Sequence, residues 1–244
     1  MDIKDRVALV TGGAKRVGRS IALALARRGA HVAVTYLSSQ HEAEAVTKEV
    51  IALGRNALAI KADSRSASEV TASVVQVVKT FGRLDVLVNN AAAFPMTPWA
   101  ALTEQIWDDT LDANLKGPFL FAKSAGDQMK AQRSGKIINI TDWAGERPYK
   151  DYLPYCVSKA GLIALTKALA LELAPDVQVN AIAPGPVLLP ENISAHEQKG
   201  VIAATPLRRL GSPEDVANAV VFLIEGSDFI TGAILPVDGG RLIG

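Results

Sequence analysis

A doubly wound parallel α/β sheet, arranged as a three-layer α/β/α sandwich, is the fold class predicted by these 244 residues. Two observations carry that expectation. Short apolar runs alternate with helical patterns from the first residues onward, as a parallel sheet covered on both faces requires. The 49% hydrophobic content and the length also suit one core of ordinary α/β size, so a single domain over residues 1–244 is expected.

The elements follow in order. Val7 to Val10 reads as a strand ending at Thr11-Gly12-Gly13, and Val17 to Arg28 as a helix closed by Gly29. His31 to Tyr36 gives a second strand, Glu42 to Leu53 a helix and Ala57 to Lys61 a third strand. A helix at Ala67 to Thr80, a strand at Leu84 to Asn89, a helix around Thr103 to Gln132 and a strand at Lys136 to Ile140 continue the alternation. The chain closes with a helix at Tyr155 to Ala174, a strand at Gln178 to Ile182, a helix at Glu214 to Ile224 and a strand near Ala233 to Val237. Only Gly185 to Gly211 has a weak pattern, with Pro184, Pro186, Pro190 and Pro206 in or beside it. Long irregular segments in compact domains are often functional covers, so residues 186–211 are expected to form a mobile lid.

Composition removes several function classes. With 26 basic and 25 acidic residues and no long basic run, binding nucleic acid through its phosphates is not expected. Cys156 has no partner for a disulfide, and His31, His41 and His196 lie too far apart for a metal-binding helix, so no metal is expected. No apolar stretch approaches the ~18 residues of a membrane span. Charges at Asp2, Lys4 and Asp5 do not suit a signal peptide, and a cytoplasmic location is expected.

In an open parallel sheet, ligands bind beyond the carboxyl ends of the strands where their order reverses. Gly12 and Gly13 let the backbone turn tightly there, and the helix beginning near Val17 offers free N–H groups to a pyrophosphate. An ordinary strand-to-helix turn would use the same glycines. The second strand ends in Thr35 to Ser39 without a carboxylate to receive a ribose 2′-OH. Lys15 and Arg16, with the Ser38 and Ser39 hydroxyls, suit a 2′-phosphate, so NADP(H) is the expected cofactor. Solvated surface charge is the alternative reading of the two cations. Asp63, followed by Ser64, stands where a side chain could reach the adenine edge, and Asn90 could brace the backbone beside Ala91. Both could equally be turn residues.

Tyr155 and Lys159 are four apart on an expected helix and share one face. An ammonium beside a phenol favours the phenolate, so Lys159 is expected to lower the Tyr155 pKa.

With these motifs on the page, the sequence resembles the short-chain dehydrogenase/reductase family over essentially its whole length. The resemblance rests on Thr11-Gly12, Asn89-Asn90-Ala91, Asn114, Tyr155-Cys-Val-Ser-Lys159, Pro184-Gly185, Ile230-Thr-Gly232 and Val237-Asp-Gly-Gly240. It implies a Rossmann fold and hydride transfer with NAD(P). It further implies that Tyr155 is the acid/base, that Lys159 holds the nicotinamide ribose, and that Asn114 supports a relay water. By the same resemblance Val17, Pro184, Gly185 and Val187 join the cofactor site, and the assembly is a homotetramer. The Ala- and Leu-rich helix from Tyr155 fits such an interface or, alternatively, burial within one chain.

Two departures give the finer expectation. Arg16 stands where the family usually has glycine, and Asp142 stands where it usually has serine, thirteen residues before Tyr155. Both resemble the pteridine reductase branch, as does Phe94, which matches an aromatic that sandwiches the pterin ring. Leu37 and Ser38 depart from the basic character common in that branch at the second strand end. An ionised Asp142 would repel a carbonyl oxygen gaining charge but would hold a C=N substrate with N–H donors. A protonated Asp142, or Thr141 turned inward, would restore the serine's function. Asp142, Tyr155, Lys159 and Asn114 are thus the expected catalytic set, with Phe94, Asp142 and Tyr155 against the substrate.

Reduction of a pterin-like small molecule is the leading expectation. The alternatives are a 3-oxoacyl-thioester reductase and a non-catalytic NADP(H) sensor. Trp99 and Trp143 could line the pocket or lie in the core.

Overall fold

A computed structural model describes residues 1–189 and 193–244. Pro190, expected within the lid, lies outside the described residues. Seven strands form one parallel sheet: β1 (Val7–Val10), β2 (His31–Tyr36), β3 (Ala57–Lys61), β4 (Val86–Asn89), β5 (Gly135–Ile140), β6 (Val177–Pro184) and β7 (Ile234–Val237). Their spatial order is β3-β2-β1-β4-β5-β6-β7, so the winding reverses between β1 and β4. That pair is in register at Ala8 with Val86 and Val10 with Val88.

Alternation of side chains along each strand divides the core into two layers. Ala8 and Val10 of β1 face one side, where α1 (Arg16–Arg27), α2 (Gln40–Ala52) and α8 (Pro213–Glu225) supply Ile21, Leu25, Val46, Val50 and Val220. Val7 and Leu9 face the other, where α3 (Ala67–Phe81), α5 (Gly117–Ala131) and α6 (Leu153–Glu172) supply Val74, Phe121, Met129 and Ala170. This is the expected sandwich. Among the described residues no helix is long and apolar enough to cross a membrane.

Two segments differ from expectation. The single helix read at Thr103 to Gln132 is α4 (Glu104–Leu111), a π-helical turn (Asp112–Lys116) and α5. Pro118 explains the break, because it has no N–H to return to the carbonyl of Asn114 four residues back. The segment expected to form a lid contains an unanticipated helix, α7 (Ala195–Ala203). Periodicity could not reveal α7 because none of its residues is buried, but its capping box is written in Ser194 and Glu197.

Candidate functional site

A cleft of about 890 Å³ opens at the carboxyl ends of β1 to β4, over the reversal point. Its floor is the turn after β1. Gly12 has φ of +60°, a conformation that disfavours a side chain. A Cβ at Gly18 would lie 2.4 Å from the Gly12 carbonyl oxygen, so only glycine lets α1 start this close. Asn90 fastens the turn to β4: its amide donates to the Thr11 and Gly12 carbonyls at 2.9 and 3.1 Å. Thr11 Oγ1 in return accepts from the N–H groups of Asn90 and Ala91. The expected brace is therefore present.

Gly12, Lys15, Arg16, Val17, Asp63, Ser64, Asn90, Ala91 and Phe94 line the cleft as anticipated. Ser38 and Ser39 do not; Thr35, Tyr36 and Leu37 occupy the wall of β2, and Ser39 has already turned into the N-cap of α2. Pro184, Gly185, Val187, Tyr155 and Lys159 also lie outside this cleft, with Val187 buried in the core and Gly185 against Asp238. Lys15 is not a free charge, since Nζ pairs with Glu42 Oε1 at 2.6 Å. Arg16 has φ of +51°, and its guanidinium crosses to the Leu188 carbonyl at 3.2 Å.

The uncapped start of α1 fits a dinucleotide. Lys15 makes no side-chain cap, no acid stands in the first turn, and the cleft runs from the β2 wall past this turn to Phe94.

The reacting end adjoins Phe94. α6 carries Tyr155 and Lys159, both buried, and β5 delivers Asp142 to face them. Tyr155 donates to Asp142 Oδ2 at 2.8 Å, while Oδ1 accepts from the N–H of Ala144 at 2.8 Å. Lys159 Nζ lies 5.6 Å from the centre of the Tyr155 ring and donates to the Ile140 carbonyl at 2.9 Å. Thr141 is turned away, its hydroxyl donating to the Ile182 carbonyl at 2.7 Å, so it does not replace the family's serine.

Burial sets the protonation balance. It pushes the Asp142 carboxyl up, against the Ala144 N–H, the Tyr155 hydroxyl and the Lys159 charge. Burial lowers Lys159 to about 8, and the Asp142 charge opposes that shift. The Tyr155 phenol is raised well above its ordinary value by burial first and by the Asp142 charge second. That reverses the expected lowering, first because the phenol is buried and second because Asp142 is the charge in contact with it, while Lys159 gives its hydrogen bond to the backbone.

Asn114 sits in the π-helical turn. Its amide accepts from the Ala93 N–H at 2.7 Å and donates to the Ala93 carbonyl at 2.8 Å and Ser158 Oγ at 3.1 Å. The side chain therefore splices the β4 loop to α6.

Phe94, 48% exposed, stacks on Tyr152 with centroids 4.5 Å apart and meets Tyr155 edge-on at 4.5 Å. Trp143 joins this cluster through Tyr149 at 5.7 Å, whereas Trp99 is 80% exposed. Sequence reasoning missed Tyr149 and Tyr152, although their three-residue spacing ahead of Tyr155 was a usable signal. It also missed Arg65, which lines the cleft beside Asp63.

This fold and site define an oxidoreductase with a nucleotide cleft and a neighbouring phenol, carboxyl and ammonium. Comparison with known proteins makes the class specific. Residues 12–241 match the family described as enoyl-(acyl carrier protein) reductase. The chain is 43% identical to a 3-oxoacyl-acyl-carrier-protein reductase of Staphylococcus aureus, over 96% of each protein. It is 40% identical to the reductase of that name from Synechocystis, over 98% of this chain and 97% of the other. Among solved structures, a blue fluorescent protein from a metagenomic library, in complex with NADPH, superposes with a TM-score of 0.90 at 34% identity, covering 99% of each chain. The chain belongs to the short-chain dehydrogenase/reductase family. These relatives bear the name of the expected alternative activity rather than that of the pteridine reductase branch.

Proposed function

We propose that this oxidoreductase reduces the keto group of a 3-oxoacyl thioester to the 3-hydroxy compound with NADPH. The carrier is acyl carrier protein or coenzyme A. The reaction adds a hydride to carbon and a proton to oxygen. Near-full-length likeness to 3-oxoacyl-acyl-carrier-protein reductases supports the substrate class. The observation that carries the chemistry is Tyr155, buried against Asp142, flanked by Lys159 and edge-on to Phe94, which lines the cleft.

A bound nicotinamide cofactor supplies the hydride. Its pyrophosphate suits the open start of α1, and its 2′-phosphate suits Arg16, because no carboxylate of β2 lines the cleft. Glu42 offsets Lys15, so the preference for NADPH rests on Arg16.

Tyr155 gives its hydroxyl proton to the ketone oxygen, and the Lys159 ammonium stabilises the phenolate left behind. Asp142 in its neutral form donates a hydrogen bond to the same oxygen, as a serine would, and burial favours that form. The relay water that returns a proton to the site is assigned to Asn114 by the family resemblance, and Pro118 offers the Asn114 carbonyl no N–H four residues on.

A second reading, reduction of a pterin-like C=N bond, is favoured by Asp142 facing Tyr155 with Phe94 beside it. There the ionised carboxylate holds the substrate's N–H groups. Following NADPH oxidation with an acetoacetyl thioester and with a dihydropterin separates the two. Turnover of the thioester alone supports the first reading, and turnover of the dihydropterin alone replaces it with the second.

The assembly we propose is a homotetramer using α6. One face of that helix is buried, and the other exposes Leu153, Val157, Ala160, Ala164, Ala168 and Leu171. Sedimentation at monomer mass would overturn this.

A further inference from the structure

The Tyr155 hydroxyl has a single hydrogen to give, and in the resting site it goes to Asp142 Oδ2 at 2.8 Å. The other carboxylate oxygen, Oδ1, is fixed by the N–H of Ala144 at 2.8 Å. Lys159 gives its hydrogen bond to the Ile140 carbonyl at 2.9 Å, so among the described residues Oδ2 has the phenol as its donor. A bound keto oxygen that accepts from Tyr155 therefore displaces Oδ2 and leaves it without one.

What then lies beside Oδ2 is set by the substrate's own bonds. The carbon next to the carbonyl is only two bonds from the keto oxygen, which brings its hydrogen alongside the vacated carboxylate oxygen. In a 3-oxoacyl thioester this carbon, C2, stands between two carbonyl groups, and its hydrogens are the most acidic on the acyl chain. A serine in place of Asp142 could donate to the keto oxygen but could not take a proton from carbon. Asp142 thus adds a base where the family usually has a donor.

The surroundings favour the charge this chemistry produces. Phe94 and Tyr149 stand with ring centroids 4.5 and 6.5 Å from that of Tyr155, so its hydroxyl works beside an aromatic wall. A hydrogen bond to a developing enolate oxygen is stronger there than in water. Burial also raises the Asp142 carboxyl above the ordinary carboxylate range, which makes its ionised form the better base.

We propose that Asp142 and Tyr155 also catalyse a reaction without hydride transfer, enolisation of the bound 3-oxoacyl thioester, with Asp142 as the base at C2 and Tyr155 holding the keto oxygen. The C2–H bond breaks and its proton passes to Asp142 Oδ2. The electron pair forms the C2=C3 double bond, and the carbonyl π pair moves to the oxygen under the Tyr155 hydroxyl. Nothing is oxidised or reduced. Asp142 is only partly buried, so its new proton exchanges with solvent before the reverse step returns a hydrogen to C2. Reduction uses the neutral form of Asp142, and enolisation uses the ionised form. The inference rests on the 3-oxoacyl-thioester reading of the site and deepens it.

Proton NMR in deuterium oxide tests it, with the pantetheine thioester of 2-methyl-3-oxobutanoic acid and with NADP+, which has no hydride to give. The methyl branch leaves one hydrogen at C2 and slows its uncatalysed exchange. The wild type is expected to exchange this hydrogen at least about 10²-fold faster than a blank without protein. Asp142→Asn, which keeps the shape and loses the base, should fall to the blank, with its NADPH affinity showing that it is folded. Wild-type exchange at the blank rate, alongside NADPH-dependent reduction of the same thioester, would overturn this inference alone. Exchange that persists in Asp142→Asn would overturn Asp142 as the base. If the wild type neither reduces nor exchanges the thioester, the 3-oxoacyl reading fails and takes the inference with it. The wild-type comparison requires no variant to fold.

Discussion

The Tyr155 hydroxyl donates to Asp142 Oδ2 at 2.8 Å, and burial raises the pKa of both groups. The phenol proton is therefore committed to a carboxylate in the resting site, and the state of that carboxylate decides which substrate atom Tyr155 can serve. A neutral Asp142 releases the phenol and can itself donate. An ionised one retains it.

The pH profile follows from this. The neutral Asp142 carboxyl persists above the ordinary carboxylate range, so kcat/KM for ketone reduction is expected to be highest on the acid side. It falls as pH rises through the raised Asp142 value. Asp142→Ser should remove that limb while keeping ketone turnover, read from kcat/KM against pH. Loss of all turnover in Asp142→Ser, with NADPH still bound, would instead favour the C=N reading.

Lys159 is expected to trade stability for function. Burial lowers it to about 8, so at neutral pH the folded protein carries a buried charge. Between about 8 and its ordinary ~10.4 the unfolded chain binds this proton more tightly than the folded one, and stability rises with pH across that window. Lys159→Met should raise the unfolding midpoint at pH 7 by a few degrees, roughly 2–4 °C per kcal/mol at this size, and flatten the alkaline rise. Turnover should be lost. Thermal scans at several pH values check this.

Arg16 holds a left-handed conformation that costs a non-glycine residue roughly 1–2 kcal/mol. Arg16→Gly should therefore raise the midpoint by a few degrees while weakening NADPH about tenfold and leaving NADH unchanged. Parallel titrations with both nucleotides give the ratio.

Removing the Asn90 amide leaves the Thr11 and Gly12 carbonyls without their side-chain donor. Asn90→Ala is expected to cost about 1–3 kcal/mol in urea unfolding and to weaken cofactor binding through the loosened turn.

Much of this was legible before any coordinates. Strands such as His31–Tyr36 and Ala57–Lys61 keep the boundaries read from sequence, because each carries a short apolar stretch, Val32–Val34 and Ala57–Ile60, between polar segments. The glycine turn, Asn90 and the Tyr155–Lys159 pair were found because their spacing is fixed by local backbone geometry. What the sequence did not show depends on contacts between distant segments. The Lys15–Glu42 pair joins α1 to α2, and the Arg65–Asp109 bond joins the end of β3 to α4. The direction of the Tyr155 shift was misjudged for the same reason, since helix spacing placed Lys159 nearby but showed neither the burial of the phenol nor its contact with Asp142. Helix α7 escaped because an exposed helix has no apolar stripe to read.

The most direct test of the account is single-turnover oxidation of NADPH by an acetoacetyl thioester, with the transferred hydrogen at C4 replaced by deuterium, in wild type and Tyr155→Phe. The account predicts a primary isotope effect in the wild type. In the variant, turnover should fall by at least about 10²-fold, as expected for loss of a positioned acid, with NADPH affinity intact. Turnover that survives Tyr155→Phe at near wild-type rate would contradict it.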